Sequence, residues 1–311
     1  MRVAFVIDPL AALQAHHDTS VMLMEALQQH GHEVYAFEMH QMWVVQGQTW
    51  AHLSRLTVDI DKAPWFAITE RIDTPLAELD AVWMRKDPPV DAAYIRATQL
   101  LDLASTLVLN HPAALRTANE KLFALQFPRW TPETLVTQDA KAIADFAKSR
   151  GRAVLKPLDG KGGEGIFFLE KNDRNLNSLI EVSTQFGRVP VMVQEYLPAA
   201  ADGDKRILLL DGKPLGAINR LPGSGDFRGN IAAGGSVAAT GISPKELEMC
   251  ADIAPILQQN KLYFVGLDVI GERLTEINVT SPTMLREMSQ HNGSSHLGDE
   301  VVTWLERYIQ A

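Results

Sequence analysis

A glycine-rich segment, LKPLDGKGGEGIF (155–167), lies between two apolar stretches of the chain. Glycines at this density permit left-handed backbone and leave peptide N–H groups uncovered, so that successive N–H groups can hold an anion. Two lysines of the segment, Lys156 and Lys161, add positive charge. The segment therefore predicts a phosphate-binding loop, whose candidate contacts are Gly160, Gly162, Gly163 and Gly165.

This loop matches neither of two common nucleotide-binding motifs. No Lys-Ser or Lys-Thr follows Gly165, which excludes a Walker A loop. A predicted strand comes next instead of a helix, which excludes a dinucleotide fingerprint. The alternative interpretation is a long flexible hairpin without a ligand.

A second candidate site lies in two predicted strands, 264–270 and 274–279, which are separated by three residues. If a three-residue loop closes this hairpin, Asp268 lies opposite Glu276, and Asn278 shares the same face. Opposed carboxylates repel each other unless a cation lies between them, and Asp, Glu and Asn oxygens suit Mg²⁺. The hairpin therefore predicts a Mg²⁺ site; a solvent-facing polar strand side is the alternative.

A third candidate is a basic cluster: Lys205, Arg206, Arg220 and Arg228 fall within 24 residues. Because arginine binds carboxylates with two parallel hydrogen bonds, the cluster predicts a substrate that carries carboxylates. Arg206 and Arg220 share a strand face if a three-residue loop joins their strands, and they do not if the loop has two residues. Arg228 lies in a Gly-, Ser- and Ala-rich segment, 222–236, which predicts a long mobile loop. Scattered surface charge is the alternative.

The composition excludes several classes of protein. The chain has 311 residues, a net charge of −9 and one cysteine, Cys250, which excludes disulfide scaffolds, thiolate metal sites and paired-thiol redox chemistry. The acidic balance disfavours nucleic-acid binding. No apolar run approaches the ~20 residues of a membrane span. The N-terminal apolar stretch ends at Asp8, too early for a signal peptide, so we expect a cytoplasmic protein.

The elements that would position these residues fall into two patterns. Strand 2–7, a helix starting near Asp18, and strand 33–39 form a βαβ unit, which predicts an open parallel α/β domain over residues 1 to about 110. Beyond Pro128, short strands joined by tight turns predict antiparallel sheets.

Together, a phosphate loop, a Mg²⁺ site and carboxylate-binding arginines are typical of one reaction class. A nucleotide phosphorylates a carboxylate, and a second substrate then attacks the acyl phosphate. Lysines and a metal ion neutralise charge on the moving phosphoryl group, while a covering loop excludes water.

The chain resembles the prokaryotic glutathione synthetases, a family of ATP-grasp ligases. The segments that carry this resemblance are FVIDP (5–9), MRKDPP (84–89), NEKL (119–122), the glycine loop 155–167, DGDKR (202–206), the RGN and AAGG pieces of 228–235, and FVGLDVIGERLTEINVTSPT (264–283). The resemblance implies ATP-dependent joining of γ-glutamylcysteine to glycine, with release of ADP and phosphate. It also implies an α/β (α+β) fold: an N-terminal domain (1–120) and two ATP-grasp subdomains with antiparallel sheets (121–197 and 198–311).

The resemblance also implies roles for individual residues and partners. Lys121 and Lys156 would contact the ATP phosphates under the loop 160–165, and Asp204 would contact the ribose. Adenine would be contacted by Gln194, Glu195, Tyr196 and Leu197. The cation, Mg²⁺ or Mn²⁺, would be bound by Asp268, Glu276 and Asn278. The substrate carboxylates would be bound by the catalytic arginines Arg206, Arg220 and Arg228. Members of the family are commonly tetramers, so we expect a homo-oligomer, with no nucleic-acid or membrane partner.

Two rival functions remain at this point. One is another ATP-grasp carboxylate–amine ligase, of the D-alanine–D-alanine or glutamate-adding type; the match over 264–283 argues against it. The other is a nucleotide-binding regulatory module without catalysis. A module without catalysis is disfavoured because the chain keeps all the residues expected for catalysis: Lys121, Lys156, Asp268, Glu276 and Asn278.

Overall fold

The computed structural model describes residues 1–160, 162–223, 234–291 and 296–311. Its first sheet has seven strands: β1 (Arg2–Val6), β2 (Glu33–Phe37), β3 (Met42–Val45), β4 (Gln48–Val58), β5 (Phe66–Pro75), β6 (Ala81–Met84) and β7 (Leu107–Leu109). The strand order is β3-β4-β2-β1-β6-β7, with β5 paired to β4. The predicted parallel sheet is present as β2, β1, β6 and β7.

Three antiparallel strands that the sequence analysis did not predict extend this sheet. They are β3, β4 and β5. In β5 most residues are exposed up to Asp73, so the sequence shows no apolar alternation there. The helices of this region are α1 (Thr19–Gln29), α2 (Ala92–Leu101) and α3 (Pro112–Thr117). The carboxylate of Asp18 caps α1 by accepting from Ser20 N and Val21 N, as predicted.

The second sheet is small and has a core of its own. Its strands are β8 (Thr134–Thr137), β9 (Arg152–Pro157), β10 (Phe167–Glu170) and β11 (Val191–Glu195), antiparallel in the order β10-β9-β11-β8. Two helices pack on it, α4 (Ala140–Arg150) and α5 (Leu176–Ser183). Ile143, Leu155 and Ile180 belong to this separate core.

The third sheet shares its core with the first. Its strands are β12 (Asp204–Leu210), β13 (Lys213–Leu221), β14 (Ser236–Ala239), β15 (Phe264–Ile270) and β16 (Arg273–Asn278), all antiparallel in the order β14-β13-β12-β15-β16. The remaining helices are α6 (Pro244–Gln259), α7 (Leu285–His291) and α8 (Leu297–Gln310). Phe264 of β15 packs edge-on against Trp83 of β6. Cys250 is buried in α6, and burial raises the pKa of its thiol to about 12, as suits a packing residue.

The hairpin β15–β16 reaches its register by a route that the sequence did not reveal. A two-residue turn, 271–272, closes it, and both residues have positive φ, as in a type I′ turn. A β-bulge then leaves Thr275 unpaired. Asp268 therefore lies opposite Glu276, as predicted, although the expected three-residue loop is wrong.

The hairpin β12–β13 follows the same pattern. Its turn has two residues, 211–212, and a register shift leaves Leu215 unpaired. Beyond this shift Arg206 lies opposite Ile218, and Arg220 is two residues further along the same strand face. The two arginines therefore share a face despite the two-residue turn.

No helix within the described ranges is long and apolar enough to cross a membrane.

Asn110 joins the first sheet to the third. Its amide nitrogen donates to Phe264 O at 2.9 Å and to Val279 O at 2.7 Å, and its amide oxygen accepts from Phe264 N at 2.9 Å. The residue is buried, so water cannot replace these partners.

Asn110→Ala is expected to lower the free energy of unfolding by about 3 kcal/mol, because it leaves buried backbone groups without partners. Urea denaturation measures this. Asn260→Ala, which removes a hydrogen bond local to the end of α6, is the control and should change stability by no more than about 0.5 kcal/mol. Equal effects of the two substitutions would show that Asn110 does not join the sheets.

Candidate active site

A cavity of about 590 Å³ lies between the second and third sheets. This volume is within the range of cofactor and small-molecule sites. Its lining contains most of the residues that the sequence analysis selected: Lys121, Lys156, Gly160, Gly162, Gly163, Gln194, Glu195, Tyr196, Leu197, Asp204, Arg206, Arg220, Asp268, Glu276 and Asn278.

Two selected residues do not line the cavity as described. Gly165 has a φ of +67°, and a Cβ at this position would lie 2.9 Å from Pro157 Cγ, so its role is to close the loop tightly. Gly162 and Gly163 also have positive φ, as the loop interpretation requires. Arg228 lies outside the described residues, as do Lys161 and most of the loop predicted over 222–236.

One row of charged side chains crosses three strands of the third sheet. Asp268 of β15 lies opposite Arg206 of β12 on one side and opposite Glu276 of β16 on the other. Arg206 binds the Asp268 carboxylate with two hydrogen bonds, Nε to Oδ1 and Nη2 to Oδ2, both 2.8 Å. The arginine therefore supplies a positive charge that offsets the repulsion between the two opposed carboxylates.

A second guanidinium completes this buried ion-pair cluster. Arg220 Nη2 lies 2.9 Å from Asp268 Oδ2 and 2.6 Å from Asp204 Oδ2. Burial alone would raise the pKa of the Asp268 carboxyl, but the guanidinium groups of Arg206 and Arg220 hold it well below its usual range. Burial would lower the pKa of Arg220, but Asp204 and Asp268 raise it. Asp268 and Arg220 are therefore charged partners at neutral pH.

The pairing changes the expected roles of these residues. The carboxylate that Arg206 and Arg220 bind in this structure belongs to Asp268, and both oxygens of Asp268 are engaged. Lys205, the remaining described member of the basic cluster, points elsewhere: its ammonium donates to Glu246 Oε2 at 2.8 Å. The sequence showed the charges but not their pairing.

Asp204 has one oxygen in the cluster and one without a partner. Its Oδ1 is buried and has no hydrogen-bond partner among the described residues. Burial, assisted by the charge of Asp268 and opposed by Arg220, raises the pKa of the Asp204 carboxyl. A buried acceptor of this kind at the cavity wall is suited to receive a hydroxyl donor from a ligand.

Glu276 lies between two lysines. Its Oε1 is 3.9 Å from Lys121 Nζ and 3.8 Å from Lys156 Nζ. Lys121 also donates to Gly160 O at 2.8 Å, so it connects the acidic hairpin to the glycine loop. The arrangement places two positive charges and one carboxylate where a phosphate chain with a divalent cation would fit.

The donor set for a divalent cation centres on Glu276 and Asn278. The Asn278 amide nitrogen donates to Gly266 O at 3.3 Å, so its oxygen is the atom available to a cation. Asp268 adjoins this pair but would contribute only by sharing an oxygen with its arginines. Two or three oxygen ligands, completed by phosphate and water, fit Mg²⁺.

The segment after β11 forms the opposite wall. Tyr196 packs edge-on against Phe168 at 5.0 Å, and Arg152 lies over its ring at 5.1 Å. Glu195 Oε1 accepts from Glu133 N at 3.0 Å, so this carboxylate holds the start of β8. The backbone amides of Glu195 and Tyr196 are also engaged, donating to Glu133 O and Arg152 O, so these contacts fix the position of the wall.

Glu120 is a site residue that the sequence analysis missed. Its Oε1 accepts from Val279 N (2.9 Å), Thr280 N (3.1 Å) and Thr280 Oγ1 (2.8 Å), and its backbone oxygen accepts from Ile277 N. Burial raises the pKa of this carboxyl, opposed by the hydrogen bonds from Thr280 and Val279. Glu120 therefore fixes the end of β16 beside Glu276. Glu120 belongs to the motif NEKL, next to Lys121, but the sequence does not show that its carboxylate is buried.

Solved structures share this architecture along nearly the whole chain. The ATP-grasp ligase PsnB, complexed with minimal precursor, Mg, and ADP, gives a TM-score of 0.63 at 19% identity, covering 100% of this chain and 98% of that one. D-cycloserine synthetase DcsG gives a TM-score of 0.66 at 14% identity, covering 99% of each chain. The fold is therefore that of an ATP-grasp ligase. Family models for the N-terminal and ATP-grasp domains of prokaryotic glutathione synthetase match residues 1–116 and 120–293. The chain belongs to the prokaryotic glutathione synthetase family.

Curated relatives extend over nearly the whole chain. A protein named glutathione synthetase from Thermosynechococcus vestitus is 53% identical over 317 residues, covering 98% of this chain and 99% of the relative. The protein of the same name from Shewanella oneidensis is 44% identical over 292 residues, covering 93% of each.

Asp268→Asn is expected to destabilise the fold by about 3 kcal/mol at pH 7, because it leaves two buried guanidiniums with a weakened partner. Since the folded-state pKa of Asp268 lies below its unfolded value, its contribution is complete at neutral pH. That contribution is lost only on acidification below the ordinary aspartate pKa of 3.8, so the variant should lose less stability than the wild type there.

Denaturation at pH 7 and at pH values below the ordinary aspartate pKa of 3.8 measures both effects. Asp145→Asn, which breaks an exposed pair with Lys141, is the control and should leave stability nearly unchanged. An Asp268→Asn variant as stable as this control at pH 7 would contradict the buried ion-pair cluster.

Proposed function

We propose that this chain is an ATP-dependent ligase that joins γ-glutamylcysteine to glycine through an acyl phosphate and releases ADP and phosphate. The observation that carries the proposal is the cavity: lysines, a carboxylate and an amide face a buried arginine cluster. The proposal is also supported by the 53% identity between this chain and a protein named glutathione synthetase. Among ATP-grasp ligases, this relationship favours γ-glutamylcysteine and glycine over D-alanine or glutamate acceptors.

ATP would span the cavity from the segment after β11 to the acidic hairpin. The backbone at 194–197 would contact adenine, and the unpartnered oxygen of Asp204 would accept from a ribose hydroxyl. Lys121 and Lys156 would contact the phosphates, and the glycine loop would cover them. The phosphates would lie beside the acidic hairpin because both lysines lie close to Glu276.

Glu276 and Asn278 would hold the divalent cation, with Asp268 beside them. The donor set is made of oxygens and fits Mg²⁺, with Mn²⁺ as the alternative. When bound, the cation neutralises charge on the transferred phosphoryl group. Glu120 would keep Glu276 in place by holding the end of β16.

The reaction balances in two steps. A carboxylate oxygen of γ-glutamylcysteine attacks the γ-phosphorus, and the bond to the bridging oxygen breaks so that ADP leaves. The glycine amine then attacks the acyl carbon, the C–O bond to phosphate breaks, and the amine loses a proton as the amide forms. Arg206 and Arg220 would attract the substrate carboxylate by the positive charge that they bring to the cavity lining, while Asp268 and Asp204 hold the two guanidiniums in place.

Three further expectations remain proposals. We propose the division 1–120, 121–197 and 198–311, which is supported by the fact that each sheet falls inside one of these ranges. A homotetramer and a cytoplasmic location follow from the resemblance to the family.

ADP release in a coupled assay tests the activity. It should require ATP, a divalent cation, γ-glutamylcysteine and glycine together. Release with D-alanine and none with γ-glutamylcysteine plus glycine would overturn the proposal in favour of another ATP-grasp ligase. ATP binding without release under any of these conditions would indicate a regulatory module.

Glu276→Ala is expected to lower turnover at saturating Mg²⁺ by about a hundredfold or more, because the cation loses its principal carboxylate. The fold should survive, since the Glu276 side chain is partly exposed and lies 3.8–3.9 Å from the two lysine ammonium groups, beyond hydrogen-bond distance. Glu170→Ala, an exposed carboxylate at the end of β10, is the control and should keep wild-type turnover. Wild-type turnover in Glu276→Ala would refute the metal role.

A further inference from the structure

Outside the cavity, two histidines and a glutamate meet where the end of α1 contacts α8. His30 directly follows the last residue of α1, His32 lies in the turn before β2, and Glu306 belongs to α8. One potential ligand atom of each lies within 4.8 Å of the others. Glu306 Oε1 is 3.4 Å from His30 Nδ1 and 2.7 Å from His32 Nε2.

We propose that His30, His32 and Glu306 form a zinc site that fastens α8 to α1. Two imidazole nitrogens and one carboxylate oxygen are a ligand set that Zn²⁺ prefers. Bonds of about 2.0–2.2 Å in tetrahedral geometry place two ligand atoms roughly 3.4 Å apart. Small side-chain rotations about the observed distances reach this separation. The proposal does not depend on the ATP-dependent activity.

The outer contact of His30 also fits a metal site. His30 Nε2 lies 3.4 Å from Asp299 Oδ1, so a carboxylate can accept the proton of the ring nitrogen that would not bind the ion. A metal-binding histidine commonly donates its second N–H to such an acceptor, which fixes the ring orientation.

The access of the cluster suits a cation. Glu306 supplies the anionic member of the ligand set. The side chains of His30, His32 and Glu306 are 26%, 12% and 30% exposed, so an ion from solvent can reach them.

The close contact of α1 and α8 explains why the residues meet. Gly298 of α8 faces Ala26 of α1, and a Cβ at Gly298 would lie only 3.2 Å from the Ala26 methyl carbon. The glycine therefore lets the two helices approach closely. One face of α8, including Val301, Val302 and Leu305, is buried, which directs Glu306 along the edge of the contact toward His30.

Titration of the chelator-treated, untagged protein with Zn²⁺, in the presence of saturating Mg²⁺ and ADP, tests the site. The wild type should bind one Zn²⁺ per chain at this site. Glu306→Gln, which keeps the size of the side chain, should weaken binding by about a hundredfold, and Asp299→Asn by about tenfold. Glu276→Ala should retain the full Zn²⁺ stoichiometry, because it alters only the cavity.

His52→Ala is the matched control, since His52 pairs with Asp73 on the first sheet away from α8. It should bind Zn²⁺ as the wild type does. The melting temperature without Zn²⁺ should be the same in Glu306→Gln and the wild type, and Zn²⁺ should raise it only in the wild type. Absence of saturable Zn²⁺ binding, or equal affinity in Glu306→Gln and the wild type, would overturn the proposal.

Discussion

The buried carboxylate of Asp268 is the interaction on which the rest of the site depends. It lies in β15, between β12 and β16, and binds Arg206 of β12 and Arg220 of β13. A buried guanidinium without a partner is costly, so the arginines can occupy the cavity wall because Asp268, joined at Arg220 by Asp204, neutralises them. The same side chain stands opposite Glu276. One residue thus fixes the positions of the anion-binding and the cation-binding groups relative to each other.

The cavity also depends on a difference in packing between its two walls. The third sheet shares a core with the first, while the second sheet has a separate core. Lys121 and Glu120 lie in the segment that leads from one part to the other. Glu120 holds the end of β16, and Lys121 contacts the glycine loop. Adjacent residues therefore connect the two walls of the site.

Much of this site could be predicted from the sequence, because strand pairing is periodic. Asp268 and Glu276 were expected to be opposite each other, and they are. The turn length was nevertheless wrong, because a two-residue turn with a bulge gives the same register as a three-residue loop. The strand β5 was missed because most of its residues are exposed and show no apolar alternation. The burial of β4 does alternate, so its pattern could have predicted a strand. The pairing of Asp268 with two arginines was missed because the repulsion between carboxylates shows only that a cation is needed, and an arginine meets that need as a metal does. The burial of Glu120 depends on distant chain segments, which local patterns do not reveal.

The central claim is that this site transfers a phosphoryl group to a substrate carboxylate before the amide bond forms. The direct measurement uses γ-glutamylcysteine labelled with ¹⁸O in the carboxylate that becomes the amide, with mass analysis of the phosphate released during turnover with ATP and glycine. The account predicts that one labelled oxygen passes into each phosphate, because the acyl C–O bond breaks in the second step. Phosphate without label, formed together with the amide product, would contradict it.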